Sequence, residues 1–301
     1  MEKVNPDNLK LLDDWNKYLV ALSRSSQTIY NYNSDIKIFF VYLLKEAGNK
    51  FFGDIIERDI VFFQSWCMND LKLSNNRIRR LKDVLSSFSN YVETFYKDDE
   101  RLKDFKNITR VVPQPAKRKT LVETELTDSD VKLIFEKLIE DEKYNAACML
   151  ALALYGGLRK AEIPQIMTET FDKENIVLNH LYKTPNKIKL KGDREECVYF
   201  LKEEMDRYIY LWKRQRKRIF RKYGHPSDEM KEHLLINRYQ GRWKLYTTES
   251  MTYFSELITN TMKEAGIEKA FYWEAARKYF VKLVNSKKLT DEQKKLLLKN
   301  M

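Results

Sequence analysis

Glycine and proline, the residues that punctuate a chain, number only 8 and 6 in 301. Glycine supplies positive φ at turns and helix ends, and proline cannot continue a helix. A composition so poor in both argues for long helices joined by few tight turns and against an all-β fold. The apolar spacing agrees: after Ser25, the residues Ile29, Tyr32, Ile36, Phe39, Phe40 and Leu43 recur at steps of three and four, which lines one face of a helix. The same reasoning predicts four amphipathic helices over roughly 8–23, 26–47, 57–72 and 75–97. With 43% hydrophobic and 13% aromatic residues the chain can bury a sizeable core, and its length favours two domains over one.

The texture changes at VVPQPAKRKTLVETELTDSDV, where two prolines and the basic cluster Lys117, Arg118 and Lys119 precede the capping signature Thr127-Asp128-Ser129-Asp130. An extended basic linker over about 113–123 fits this composition, between a first domain of about 1–112 and a second of about 124–301. The second domain opens with helices near 128–141 and 143–155, the latter apolar on most sides and therefore central. The segments NIVLNH, NKIKLK and EECVYFL carry β-branched or alternating residues, which predicts a small antiparallel sheet with a hairpin at Gly192. A long helix near 202–223 follows, then helices near 227–233, 247–265, 270–285 and 290–300.

A net charge of +11 and a pI near 9.2 point to a polyanionic partner. Cys67, Cys148 and Cys197 are odd in number and far apart, so neither a disulfide framework nor a zinc cluster is expected. His180, His225 and His233 have no ligand spacing, and no metal is expected. The N-terminus has no apolar leader segment, and no apolar run reaches membrane-spanning length; a cytoplasmic protein that does not engage a membrane is the expectation.

Two segments suit phosphate contacts. SRSSQT, at the start of the second helix, offers the hydroxyls of Ser25, Ser26 and Thr28 beside free helix N–H groups, with plain helix capping as the alternative. KRQRKRIFRK, Lys213 to Lys222, places Arg214 and Arg216 on a basic helix that either follows a DNA backbone or forms a solvated face.

The sharpest feature is ALALYGGLRKAEI, Ala151 to Ile163, where an apolar helix runs into Gly156-Gly157 and then presents Arg159 and, three residues on, Glu162. Two glycines at a helix end imply a sharp turn or a close backbone approach, and Arg159 just beyond stands on a rigid corner. GLRKAEI resembles the first conserved box of the tyrosine recombinase (phage integrase) family. WEAARKYFVKLV stands where that family has its second box, His-x-x-Arg, and SSQTIYNYNSDIKIFF echoes the pattern of its core-binding domain. The resemblance spans nearly the whole chain. It implies a mainly α fold in two domains: an N-terminal four-helix core-binding (SAM-like) domain that clamps DNA, and an α+β catalytic domain with a small antiparallel sheet.

By that resemblance the chain is a site-specific DNA recombinase, cutting and rejoining strands through a 3′-phosphotyrosine without metal, nucleotide or other cofactor. Its partners are double-stranded DNA and further copies of itself, as a dimer or tetramer on that DNA. Arg159 and Arg277 are the phosphate ligands; a guanidinium is permanently charged and matches a phosphate with a planar fork. Glu162 supports Arg159. Lys191 in KGDR, with Lys183 in YKT as the other candidate, is the hairpin lysine that protonates the leaving oxygen.

The chain departs from the family in two places. Glu274 occupies the second-box histidine position, and a carboxylate there repels a phosphate unless it is protonated or turned to an arginine. The third box, with its nucleophilic tyrosine, has no match before Met301. Tyr279 lies two residues after Arg277, about 200° round the helix, so it is expected in the core, and Tyr272 is expected to pack as well. The alternatives are a DNA-binding protein of this fold that does not cut and, further off, a helical interaction scaffold.

Overall fold

The computed structural model describes residues 3–117, 125–192, 194–247 and 250–299, which fall in two compact units, Met1–Leu121 and Val122–Met301. In the first, four helices form as the periodicity demands: α1 (Pro6–Ala21), α2 (Ser26–Glu46), α3 (Glu57–Asn69) and α4 (Asn75–Phe95). Each begin-signal is chemical. The Asn5, Ser25 and Ser74 side chains accept from backbone N–H groups in the first turns of α1, α2 and α4, satisfying donors that a helix start leaves unpaired.

The apolar faces meet in an aromatic core. Trp15 of α1 stacks on Tyr32 of α2 at 5.6 Å and touches Phe88 of α4 at 5.1 Å. Phe40, Leu43, Phe52 and Phe88 are fully buried, each stabilising the unit by about 1.5–3 kcal/mol relative to exposure. Asp35, buried on α2, accepts from Arg77 and Arg80 of α4 at 2.5 and 3.2 Å, tying the two helices by charge as well as packing.

In the second unit α5 (Asp128–Glu140) begins at the Thr127/Asp130 capping box, and α6 (Tyr144–Gly156) is buried continuously from Ala146 to Tyr155. That burial is what an all-round apolar helix requires. Around it lie α7 (Lys202–Tyr223), α8 (Asp228–Glu232), α9 (Ser250–Glu264), α10 (Trp273–Ser286) and α11 (Asp291–Leu298).

The expected single sheet divides in two. The strands β1 (Ile176–Val177), β2 (Leu181–Lys183) and β5 (Tyr199–Leu201) pair antiparallel in the order β1-β2-β5, while β3 (Ile188–Lys189) and β4 (Glu195–Glu196) form a separate hairpin around Gly192. A third antiparallel pair, β6 (Ile236–Tyr239) and β7 (Arg242–Leu245), was not foreseen. Its turn residues Gln240 and Gly241 both have positive φ, the geometry of a tight two-residue hairpin. β6 buries only Ile236, and the alternation of β7 runs over just four residues, Arg242 to Leu245, so the pattern is too short to stand out in sequence.

Candidate functional site

Each residue of the glycine pair that ends α6 has its own task. A Cβ on Gly156 would lie 2.3 Å from the ring of Phe200, itself fully buried in β5, so only glycine lets helix and strand approach. Gly157 takes φ +63°, the left-handed conformation that stops the helix. The chain then turns sharply into Arg159.

Glu162 holds that arginine at both ends. Its Oε2 accepts from the Arg159 backbone N–H at 2.8 Å, and its Oε1 accepts from Arg159 Nη1 at 3.0 Å. Glu162 is buried, whereas the Arg159 side chain remains 29% exposed. The carboxylate thus fixes the guanidinium without covering it.

Arg277 reaches the same turn from 118 residues further along the chain, by the difference of the two residue numbers. It lies on the buried face of α10 beside Ala275, Ala276 and Phe280, and its Nη1 donates to the carbonyl of Gly157 at 2.6 Å. Burial first, and the positive Arg159 second, push the Arg277 guanidinium below its ordinary value; Glu162 and Glu274 act the other way. An arginine so placed keeps its charge. Arg159, Arg277, Glu162 and Glu274 therefore share one electrostatic neighbourhood, with two cations at its centre. Glu274 is exposed in the first turn of α10, three residues before Arg277 and so on the same side of the helix.

Lys191 is exposed at the β3–β4 turn, next to Gly192 at φ +83°. Lys183 is half-buried within β2, paired with Tyr199. A residue that the sequence did not point to ties the lysine hairpin to the arginine turn. Gln165 accepts from Lys189 N–H at 2.8 Å through Oε1, while its Nε2 donates to the carbonyls of Lys189 at 3.0 Å and Ala161 at 3.1 Å. No sequence signal marks it, because a glutamine amide can pair with any backbone that tertiary folding brings near.

The remaining expected residues divide. Ser25 caps α2, its hydroxyl accepting from Thr28 N–H at 3.2 Å and paired with the Thr28 hydroxyl at 2.9 Å, while Ser26 is exposed. Lys117 is exposed; Arg118 and Lys119 lie outside the described residues. Arg214 is exposed on α7. Arg216 is not: it is 7% exposed, with its guanidinium hydrogen-bonded to Thr168 and to the carbonyls of Lys231 and His233. Two residues along a helix is about 200° of rotation, so Arg216 points inward and does not belong to a solvent-facing strip.

Tyr279 is in the core, where burial raises its hydroxyl pKa. Tyr272, expected to pack, is instead 45% exposed because it precedes α10 rather than lying on the buried face. Among the described residues no helix is long and apolar enough to cross a membrane.

The chain has the fold of lambda integrase. Over 96% of this chain and 93% of the other, it superposes on lambda integrase (75-356), solved as a dimer bound to a COC' core site, with a TM-score of 0.66 at 14% identity. The XerH site-specific recombinase, solved bound to difH substrate in a pre-cleavage complex, matches 96% of this chain and 76% of its own with a TM-score of 0.62 at 18% identity. The mainly helical architecture with small antiparallel sheets is the one the tyrosine recombinase resemblance implied. In sequence, the chain is 29% identical over 265 residues to the SPbeta prophage-derived recombinase-like protein YomM of Bacillus subtilis (strain 168), covering 87% of this chain and 75% of that one. No known family's sequence profile matches the chain.

Proposed function

We propose that this protein is a cytoplasmic site-specific DNA recombinase that grips a phosphodiester of double-stranded DNA between Arg159 and Arg277. One observation carries the reading: Glu162 and the Gly157 carbonyl hold two guanidiniums at one turn, and one of them remains open to solvent. Fixed cations aimed where negative charge develops are what phosphoryl transfer asks of a protein. In this reading Lys191 brings a proton to the leaving oxygen from the hairpin that Gln165 steadies. Residues 1–112 are a core-binding domain, 113–123 a linker with Lys117, Arg118 and Lys119 against the backbone, and 124–301 the catalytic domain. The DNA-bound state of lambda integrase and XerH, and the dimer in which lambda integrase was solved, support duplex DNA and self-association for this chain too.

A second reading, binding without cutting, is favoured by Glu274. A carboxylate one turn from Arg277 opposes a phosphate where a histidine would donate to it.

Trapping on a nicked duplex carrying the target site, followed by denaturing electrophoresis, separates the two. A covalent protein–DNA adduct supports cleavage and identifies its tyrosine; binding without adduct in the same tube supports the second reading. Affinity that falls by orders of magnitude as salt rises a few-fold is expected in both. Salt-insensitive binding, or none, overturns both.

A further inference from the structure

Arg216 is a buried cation whose described hydrogen-bond partners are all neutral. Its Nη1 donates to Thr168 Oγ1 at 3.1 Å, its Nη2 to the carbonyls of Lys231 and His233 at 2.6 and 2.8 Å, and its Nε–H is buried with no acceptor. Among the described residues no carboxylate pairs with it. Carbonyls orient a guanidinium but do not neutralise it, and an uncompensated buried charge is costly to keep. An anion brought alongside would offset that cost.

Arg216 is among the residues that line an open cavity of about 290 Å³, with Trp212, Phe220, Tyr223 and Trp243 as aromatic walls and Arg238 as a second cation. Phe220 and Trp243 meet edge to face at 5.4 Å, and Arg216 lies 4.9 Å over the Phe220 ring. Arg238 sits 4.4 Å over Tyr223, which is 45% exposed and so marks the rim. Aromatic walls take a planar ring at any sequence identity, because every base has a π face. Exposed Arg238 offers a forked donor to a phosphate, and Arg216, whose Nη atoms are held by Thr168 and two carbonyls, adds positive charge behind the aromatic wall.

We infer that this cavity is a nucleotide pocket, holding a nucleobase against Trp243 and Phe220 with its phosphate bound by Arg238 and favoured by the buried charge of Arg216. A cavity of about 290 Å³ is at the small end of ligand pockets, on the scale of one nucleotide. The ligand is therefore a free nucleoside monophosphate or one unpaired nucleotide of a strand. The inference is independent of the recombinase reading, since it uses none of the residues around Arg159.

The test is calorimetric titration of the full chain with deoxyadenosine monophosphate. Saturable binding is expected, weakened about tenfold or more by Trp243→Ala and by Arg238→Gln. Both positions are outside the tightly packed interior, so these variants stay informative if Arg216→Met fails to fold. Deoxyadenosine and inorganic phosphate, each offering half of the recognition, should bind about tenfold more weakly than the monophosphate. Competition by a short single-stranded oligodeoxyadenylate assigns the pocket to a strand nucleotide; binding of the monophosphate without such competition assigns it to a free nucleotide.

Four results overturn the proposal. They are no binding at millimolar ligand, affinity unchanged in both rim variants, phosphate binding as tightly as the nucleotide, and loss of binding in Arg277→Met with the rim variants unaffected. Self-association of the chain that Trp243→Ala abolishes, with no nucleotide binding, would give the cavity to a protein side chain instead.

Discussion

In the N-terminal unit the buried charge between α2 and α4 is a carboxylate, Asp35, answered by Arg77 and Arg80, both of which keep part of their side chains in water. In the C-terminal unit the buried charges at Arg277 and Arg216 are cations, hydrogen-bonded by the carbonyls of Gly157, Lys231 and His233. In the first the buried charge is fully answered by guanidiniums that reach water, and it serves packing. In the second the buried guanidiniums meet carbonyls, and Glu162, the buried acid at the arginine turn among the described residues, pairs with Arg159. Buried cations that donate to carbonyls are costly to keep for the fold alone and well suited to an anion from outside, so the difference separates a helix clamp from a binding site.

The largest effect should come from breaking the carboxylate side. Asp35→Ala removes the acceptor of two guanidiniums and is expected to destabilise the N-terminal unit by about 2–3 kcal/mol, read by urea unfolding. A change below about 0.5 kcal/mol would mean that Asp35 is no tie between α2 and α4. Next, Arg277→Met should lower duplex affinity roughly tenfold for specific and random sequence alike, because phosphate contacts position without specifying. Its effect on stability should stay within about 1 kcal/mol, an apolar residue of similar length being tolerated where a buried cation was. Unfolding of that variant with normal DNA binding on refolding would make Arg277 structural.

A smaller effect sharpens the role of Glu162. Glu162→Gln keeps the shape but removes the charge, so Arg159 should lose orientation and affinity should fall a few-fold, about 1 kcal/mol. A rise in affinity would show that the carboxylate opposes DNA more than it positions the arginine. The smallest expected effect is at exposed Arg214, where Ala should leave stability unchanged and reduce the slope of log affinity against log salt by about one. An unchanged slope would place α7 away from the backbone.

Much of this was legible in the chain itself. The four helices of the first unit, the capping box at Thr127, the central position of α6 and the turn at Gly156-Gly157 follow from periodicity and local chemistry, which act over a few residues. The pairing of Arg159 with Glu162 was legible too, being three residues apart. Arg214 and Arg216 mark the limit: two positions apart in a basic run, they differ in which side of α7 meets the rest of the unit, and composition carries no such direction.

The sequence by itself determined which residues form helices, where the basic charge lies and which arginines sit at helix ends, because each depends on neighbours along the chain. Only tertiary structure decided that Arg277 meets the carbonyl of Gly157, that Gln165 ties the lysine hairpin to the arginine turn, and that Arg216 is buried among the residues lining a cavity. Those contacts join residues up to 120 positions apart. Their partners are backbone carbonyls, which every residue carries, so no side-chain pattern announces them.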